Sequence, residues 1–161
     1  MARTGARSKT LDMRVDLSGF EEQMRELVRA NKDAVRPAAQ AGAQVFYDAV
    51  RESTPKSKSS HWFHGTQFKV SGKKYFFESG TLRDSIYQVY SKDNSSEHVA
   101  TYHISWNFTK CPYAYMVHNG TSRTHAARPF VLMGLDRGHD TAQEATKRVY
   151  LDELQKRGVL S

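Results

Sequence analysis

The sequence contains little cysteine, little proline and no long apolar run. Cys111 is the only cysteine among 161 residues, which excludes an internal disulfide and leaves a half-buried position at a strand edge as its expected place. No apolar stretch approaches the roughly 20 residues that cross a bilayer, and the basic segment 3–9 lacks the apolar block of a secretory signal. We therefore expect a soluble protein that is made in the cytoplasm and has no membrane contact.

The positive charge is concentrated in two segments. The formal net charge is +7, and residues 1–14 and 56–78 account for all of it. The first segment carries four cations and one carboxylate, and the second carries five cations and one carboxylate. Basic appendages on a balanced body suit contact with nucleic acid. The candidate contacts to DNA are Arg3, Arg7, Lys9, Lys56, Lys58, Lys69, Lys73 and Lys74.

The length and the apolar pattern predict one α+β domain. We expect a flexible basic arm at 1–10, and then a single domain at 11–161 with one core. Its predicted architecture is an antiparallel sheet packed by N-terminal helices and a long C-terminal helix, with an extended β-hairpin arm.

Local signals place the helices. After a short strand at 11–17, Ser18 and Glu21 predict a capping box at the start of the first helix. Pro37 predicts a kink or a restart, and a second helix should run from there to about residue 51. The last helix is predicted at about 130–157, ended by Gly158. The residues predicted to form the apolar face of the first helix are Phe20, Met24, Leu27, Val28, Ala34 and Val35.

The strands are predicted from alternation and turn residues. Residues 56–78 form the predicted hairpin, an insertion whose turn at Ser71-Gly72 lies between apolar-containing runs at 68–70 and 75–77. Strands at about 82–90 and 99–108 should be joined by a turn at 93–96, and a third strand at 113–118 should complete an antiparallel meander.

The hairpin mixes aromatic residues with lysines. That mixture is typical of single-strand binders, which stack bases on aromatic rings. We favour the other interpretation, in which a neighbouring subunit buries the aromatic rings and the lysines remain at the wet rim. The candidate interface residues are Trp62, Phe63, Phe68, Tyr75, Phe76, Phe77, Tyr113 and Tyr115. His61 and His64 have a spacing that a metal could use, but no second ligand pair completes a site, so we expect no metal.

The segment from Pro112 to Phe130 is dense in residues that constrain backbone shape. It contains the pairs Tyr113-Ala114, Gly120-Thr121 and Pro129-Phe130. Upstream pieces are Gly19-Phe20, Pro55, Ser79-Gly80-Thr81-Leu82 and Ser85-Ile86. In this order they resemble a family of tailed-bacteriophage neck proteins, the head-tail joining or minor tail proteins. The residues that carry the resemblance as a structural motif are Gly80, Leu82, Gly120, Thr121, Arg128, Pro129 and Phe130.

The resemblance implies a structural protein of the virion, made in the host cytoplasm, with no enzymatic activity and no cofactor. It implies a ring at the neck that joins head to tail, as a connector or a tail-completion subunit. The implied partners are further copies of the chain, with six per ring expected, neighbouring phage connector and tail proteins, and DNA in the channel.

Two alternatives come from the residues alone. The first is a basic nucleic-acid-binding protein that uses the two charged segments. The second is a small nuclease or toxin, which would need a catalytic histidine such as His103 or His118. Neither histidine lies in a local carboxylate or nucleophile motif, so we favour the structural hypothesis.

Overall fold

The computed structural model describes Arg14, residues 16–64, Gly72, residues 74–122 and residues 126–159. The helices are α1 Ser18–Ser53, α2 Thr81–Asp84, α3 Ala114–Asn119 and α4 Phe130–Lys156. The strands are β1 His61–His64, β2 Lys74–Phe77, β3 Ile86–Ser96 and β4 Val99–Trp106. The predicted α+β class is confirmed, with a long helix near each end of the chain. Within the described ranges no helix combines the length and the apolarity needed to span a bilayer.

Helix α1 runs without interruption through Pro37, so the predicted restart as a second helix is wrong. Proline removes one backbone hydrogen bond and crowds the preceding turn, but packing against α4 outweighs that local cost. The packing face of α1 contains small residues at four-residue spacing, as does the facing side of α4. In α1 these are Ala30, Ala34, Ala38 and Gly42, and in α4 they are Gly134, Gly138 and Ala142. The small face of α1 therefore serves a contact within the chain.

The two long helices are antiparallel and very close. A Cβ atom added to Gly134 would lie 2.6 Å from the Cα of Val50, and one added to Gly138 would lie 3.2 Å from the ring of Phe46. Near the other end, the hydroxyl of Tyr150 donates a hydrogen bond of 2.9 Å to Asn31 Oδ1. The glycines thus allow the backbones to approach where a side chain would hold them apart.

The predicted capping box at the start of α1 is wrong, whereas the predicted stop of α4 is confirmed. Ser18 is already helical, and its N–H donates to Asp16 Oδ1 at 3.0 Å. Asp16 and Leu17 are not in a strand, and most of the predicted strand at 11–17 lies outside the described residues. At the end of α4, Gly158 has φ +69° and its N–H donates to the Gln155 carbonyl at 2.9 Å.

The strands form two separate antiparallel pairs. A hairpin within 56–78 is confirmed as the pairing of β1 with β2. Its first strand lies earlier in the chain than the predicted run at 68–70; that run and Ser71 of the predicted turn lie outside the described residues. Strands β3 and β4 pair from Ile86 opposite Trp106 to Ser96 opposite Val99, so the predicted turn at 93–96 belongs to β3. The predicted start of this strand at Leu82 is also wrong, because α2 occupies 81–84.

The third strand of the predicted meander is the helix α3. Ala114 is buried and Val117 is half-buried, whereas Tyr115 and Met116 are exposed. Spacing of three residues places Ala114 and Val117 on one face of a helical turn. Over only six residues, the order of apolar and polar side chains in this helical turn resembles the alternation of a strand. Gly120, with φ +76°, follows the last helical residue.

The main core lies where α2, β3 and α3 meet the C-terminal part of α1 and the start of α4. Its buried residues are Val50, Leu82, Ile86, Cys111, Ala114 and Phe130. The ring of Phe130 is fully buried, 5.8 Å from that of Trp106 and 5.1 Å from that of His118. Pro129 precedes the helix and Phe130 begins it, as predicted.

Replacing Gly134 by alanine should destabilise the protein by about 1–3 kcal/mol, because the new methyl group would overlap the backbone of Val50. Gly19→Ala is the matched control, since a Cβ at this exposed helical position meets nothing within 4 Å. The control should leave stability unchanged or raise it slightly. Guanidinium unfolding followed by circular dichroism measures both, and equal unfolding midpoints would contradict the close packing of α1 on α4.

Candidate interaction surfaces

The hairpin is attached to the body on one face and exposed on the other. Trp62 lies opposite Phe76 in its register, with ring centres 5.1 Å apart. Their side chains are 60% and 50% exposed, so this Trp62–Phe76 pair forms an aromatic surface. On the other face Phe77 is buried, and its ring lies 4.6 Å from that of Tyr113 in an edge-to-face contact. Phe77 and Tyr113 therefore fix the hairpin to its own chain.

The other predicted interface residues lie around the same region. Phe63, Tyr75 and Tyr115 are exposed, and the first two face each other across the hairpin. Phe68 lies outside the described residues. The predicted set thus contains an internal contact, Phe77 with Tyr113, and several exposed rings on or near the hairpin.

A cleft of about 290 Å³ separates the base of the hairpin from the body. We call it the hairpin-base cleft. Its apolar lining includes Phe63, Leu82, Tyr113, Met116 and Val117. Its charged or titratable lining is Lys56, His61, Glu78 and Arg128. Among the described residues Lys56 and Arg128 form no ion pair, so the cleft combines an apolar wall with two cations and the single carboxylate of Glu78.

The start of α1 extends beyond the end of α4. Arg157, just after α4, donates a 2.6 Å hydrogen bond to Asp33, and Leu154 packs against Ala30 and Ala34. Residues 18–29, which we call the α1 extension, precede this contact and are exposed throughout. At about 1.5 Å per residue they add about 18 Å of helix with no described element packed along it.

The α1 extension has an apolar stripe on its surface. Its side chains are 38–60% exposed, which is unusual for large apolar residues that recur on one helical face. The stripe consists of Leu17, which directly precedes the α1 extension, and of Phe20, Met24, Leu27 and Val28 within it. The sequence predicts these positions, from Phe20 onward, as an apolar face, but not that the face remains uncovered. Only the lengths of the two helices, 36 and 27 residues, reveal it.

The predicted motif residues meet at the junction of α2, α3 and α4. Leu82 and Phe130 belong to the same core cluster. Gly80, with φ +98°, is buried before α2, and the Arg128 N–H donates to the Val117 carbonyl at 3.0 Å. Gly120 and Thr121 follow α3, while Pro129 precedes α4. This motif positions the wall of the hairpin-base cleft, since Leu82, Val117 and Arg128 line it.

Cys111 lies in the core and not at a strand edge as expected. It follows the turn after β4 and is fully buried. Burial raises the pKa of its thiol, and burial likewise raises the pKa of the Tyr113 phenol, with a smaller contribution from its hydrogen bond to Cys111. Both groups therefore remain protonated at neutral pH, which disfavours a nucleophilic thiolate.

The remaining candidate residues are dispersed. His103 is exposed on β4 with its Nε2 3.5 Å from Asn94 Nδ2, whereas the ring of His118 packs beside the rings of Trp106 and Phe130. In the described part of the chain no three His, Cys, Asp or Glu side chains are grouped to hold a metal ion. The side chain of His64 is outside what is described.

The predicted DNA contacts are described only in part. Lys56, Lys58 and Lys74 are exposed on or beside the hairpin. The candidates that lie outside the described residues are Arg3, Arg7, Lys9, Lys69 and Lys73. Comparisons of the chain with protein-family models, with curated proteins and with solved structures found no significant match.

The Cys111 thiol should react with a disulfide reagent only when the protein opens. At neutral pH we expect labelling at least about 100-fold slower in native buffer than in guanidinium, because opening the core costs free energy. Absorbance of the released thiolate measures both rates, and the denatured chain is the internal control. Comparable rates in the two conditions would place Cys111 at the surface.

Proposed function

We propose that this chain is a structural protein of a tailed bacteriophage that forms a ring at the neck and joins head to tail. The observation that carries the proposal is the presence of two separate apolar surfaces that the described chain leaves uncovered. One is the stripe on the α1 extension, and the other is the hairpin with its Trp62–Phe76 pair and its cleft. The order of the neck-family motif residues gives the proposal its place in the virion.

Two different surfaces on one subunit suit a ring. A head-to-tail contact joins one patch to a different patch, and it closes into a ring when the rotation between neighbours is right. The stripe precedes the contact of α1 with α4, whereas the hairpin follows the C-terminal end of α1. A helical rise of about 1.5 Å per residue separates Val28 from Pro55 by about 40 Å. One neighbour can therefore contact each patch without competing for the same space.

The surroundings of the hairpin-base cleft favour a protein partner over a cofactor. Small-molecule sites usually enclose most of the ligand, whereas this cleft of about 290 Å³ lies beside a hairpin that carries exposed aromatic rings. It has space for a large side chain and the adjoining part of a helix. Exposed aromatic rings beside it are typical of the residues that anchor protein interfaces.

Contact with DNA in the channel of the ring is a second candidate function. Lys56 and Lys58 are exposed and precede the exposed Trp62 by a few positions in the chain, which combines positive charge with an aromatic ring that can stack on a base. This contact would add to the structural function, because a neck ring surrounds the path of the genome.

The purified protein should form a closed ring, with six subunits expected, and deletion of Ser57–Tyr75 should convert it to a folded monomer. No residue of the main core lies in the deleted segment, so cooperative unfolding should persist. Native mass spectrometry measures the assembly, and circular dichroism checks the fold. Phe108→Ala is the control, since this exposed ring in the turn after β4 belongs to neither surface. Intact rings after the deletion, or a wild-type monomer, would contradict the proposal.

Charge reversal at Arg3, Arg7, Lys9, Lys73 and Lys74 should weaken DNA binding and flatten its dependence on salt. Each phosphate that the variant no longer neutralises should reduce the slope of log affinity against log salt by roughly one. Fluorescence anisotropy at several salt concentrations measures that slope. Reversal of Lys147 and Arg148, exposed on α4, is the matched control. An unchanged slope in the five-residue variant would assign these cations to contacts with protein.

A further inference from the structure

We infer that the α1 extension of one copy docks into the hairpin-base cleft of the next copy. This contact rests on the proposed ring, and it specifies which two surfaces meet. The occupant of the cleft is thus a second copy of this chain, and the part that enters is the apolar stripe with Phe20 near its N-terminal end.

The stripe supplies apolar side chains for the contact, and residues next to it supply carboxylates. Phe20 and Leu17 are its most exposed members, at 60% and 59%. Asp16 directly precedes Leu17, and Glu21 directly follows Phe20; both are exposed. Glu21 is 3.6 Å from Arg25, a fully accessible pair that contributes little and can exchange partners. The stripe is therefore an apolar ridge flanked by the carboxylates of Asp16 and Glu21, with the exposed cation of Arg14 before them.

The cleft complements the stripe in its apolar surface and in its charge. Leu82, Tyr113 and Val117 form an apolar wall, and Lys56 and Arg128 supply two cations without ion-pair partners among the described residues. Glu78 is the one carboxylate in the lining. Insertion of Phe20 would cover the apolar wall, and the carboxylates of Asp16 and Glu21 would face the cations. Burying an aromatic anchor within a polar rim is the usual arrangement of a protein interface.

A contact of stripe with stripe fits less well. It would leave the cations of the cleft unneutralised in both copies and the wall of the cleft exposed. A contact within one chain is excluded by the separation of about 40 Å along α1. Head-to-tail docking covers the stripe and the wall of the cleft in every subunit, so it leaves less apolar area exposed than a contact of stripe with stripe.

Two complementary variants test the contact. The stripe variant carries Phe20→Glu and Leu27→Glu, and the cleft variant carries Lys56→Glu and Arg128→Glu. All four positions are exposed, so the fold should persist, as thermal unfolding can verify. Phe108→Glu with Lys110→Glu is the matched control, because it changes an exposed aromatic residue and an exposed lysine outside both surfaces.

Each variant alone should be monomeric, whereas an equimolar mixture should give a heterodimer and nothing larger. The mixed pair retains one intact stripe and one intact cleft, which is enough for one contact and no ring. Native mass spectrometry resolves the species, expected at twice the 18.3 kDa of the chain. The control variant should form the wild-type assembly.

Other outcomes overturn the inference. A dimer formed by the cleft variant alone would indicate that stripe meets stripe. Rings formed by both variants would refute this contact and leave the proposed ring intact. A wild-type chain that is monomeric at every concentration would refute the ring and the contact together.

Discussion

The close contact between α1 and α4 is the constraint on which the rest of the structure depends. Gly134 lies so near the backbone of Val50 that a single methyl group would overlap it. This contact brings the start of α4, with Phe130, into the core beside Val50. Because α4 is shorter than α1, the same contact leaves the first turns of α1 without a packing partner in the part of the chain that the structure describes. The packing of α1 on α4 thus accounts both for the main core and for the exposed stripe.

Local residue chemistry predicted the elements whose signals are short-range. The hairpin within 56–78 was predicted from turn residues that lie partly outside the described ones, and the end of α4 from Gly158, whose left-handed backbone glycine favours. Pro37 misled because its cost is local, whereas the packing that outweighs it comes from residues about 100 positions away. The segment 113–118 misled because six residues are too few to separate a strand from one helical turn.

The sequence predicts which residue types form the interaction surfaces, but it does not predict which of these residues are exposed. The aromatic residues of the hairpin are evident in the sequence, yet only the register separates Phe77, which anchors the hairpin, from Trp62 and Phe76, which remain outside. The stripe from Leu17 to Val28 has the pattern of a core face. Whether such a face is buried depends on how far α4 extends along α1, and the local sequence of α1 does not contain that information.

The central claim is that copies of this chain associate head to tail through unlike surfaces. Low-resolution electron microscopy of the purified assembly tests it most directly, because the symmetry of the particles reports the kind of contact. The account predicts closed rings with one rotational axis, in which every subunit has the same two neighbours. Compact two-fold dimers, in which one surface meets its own copy, would contradict it.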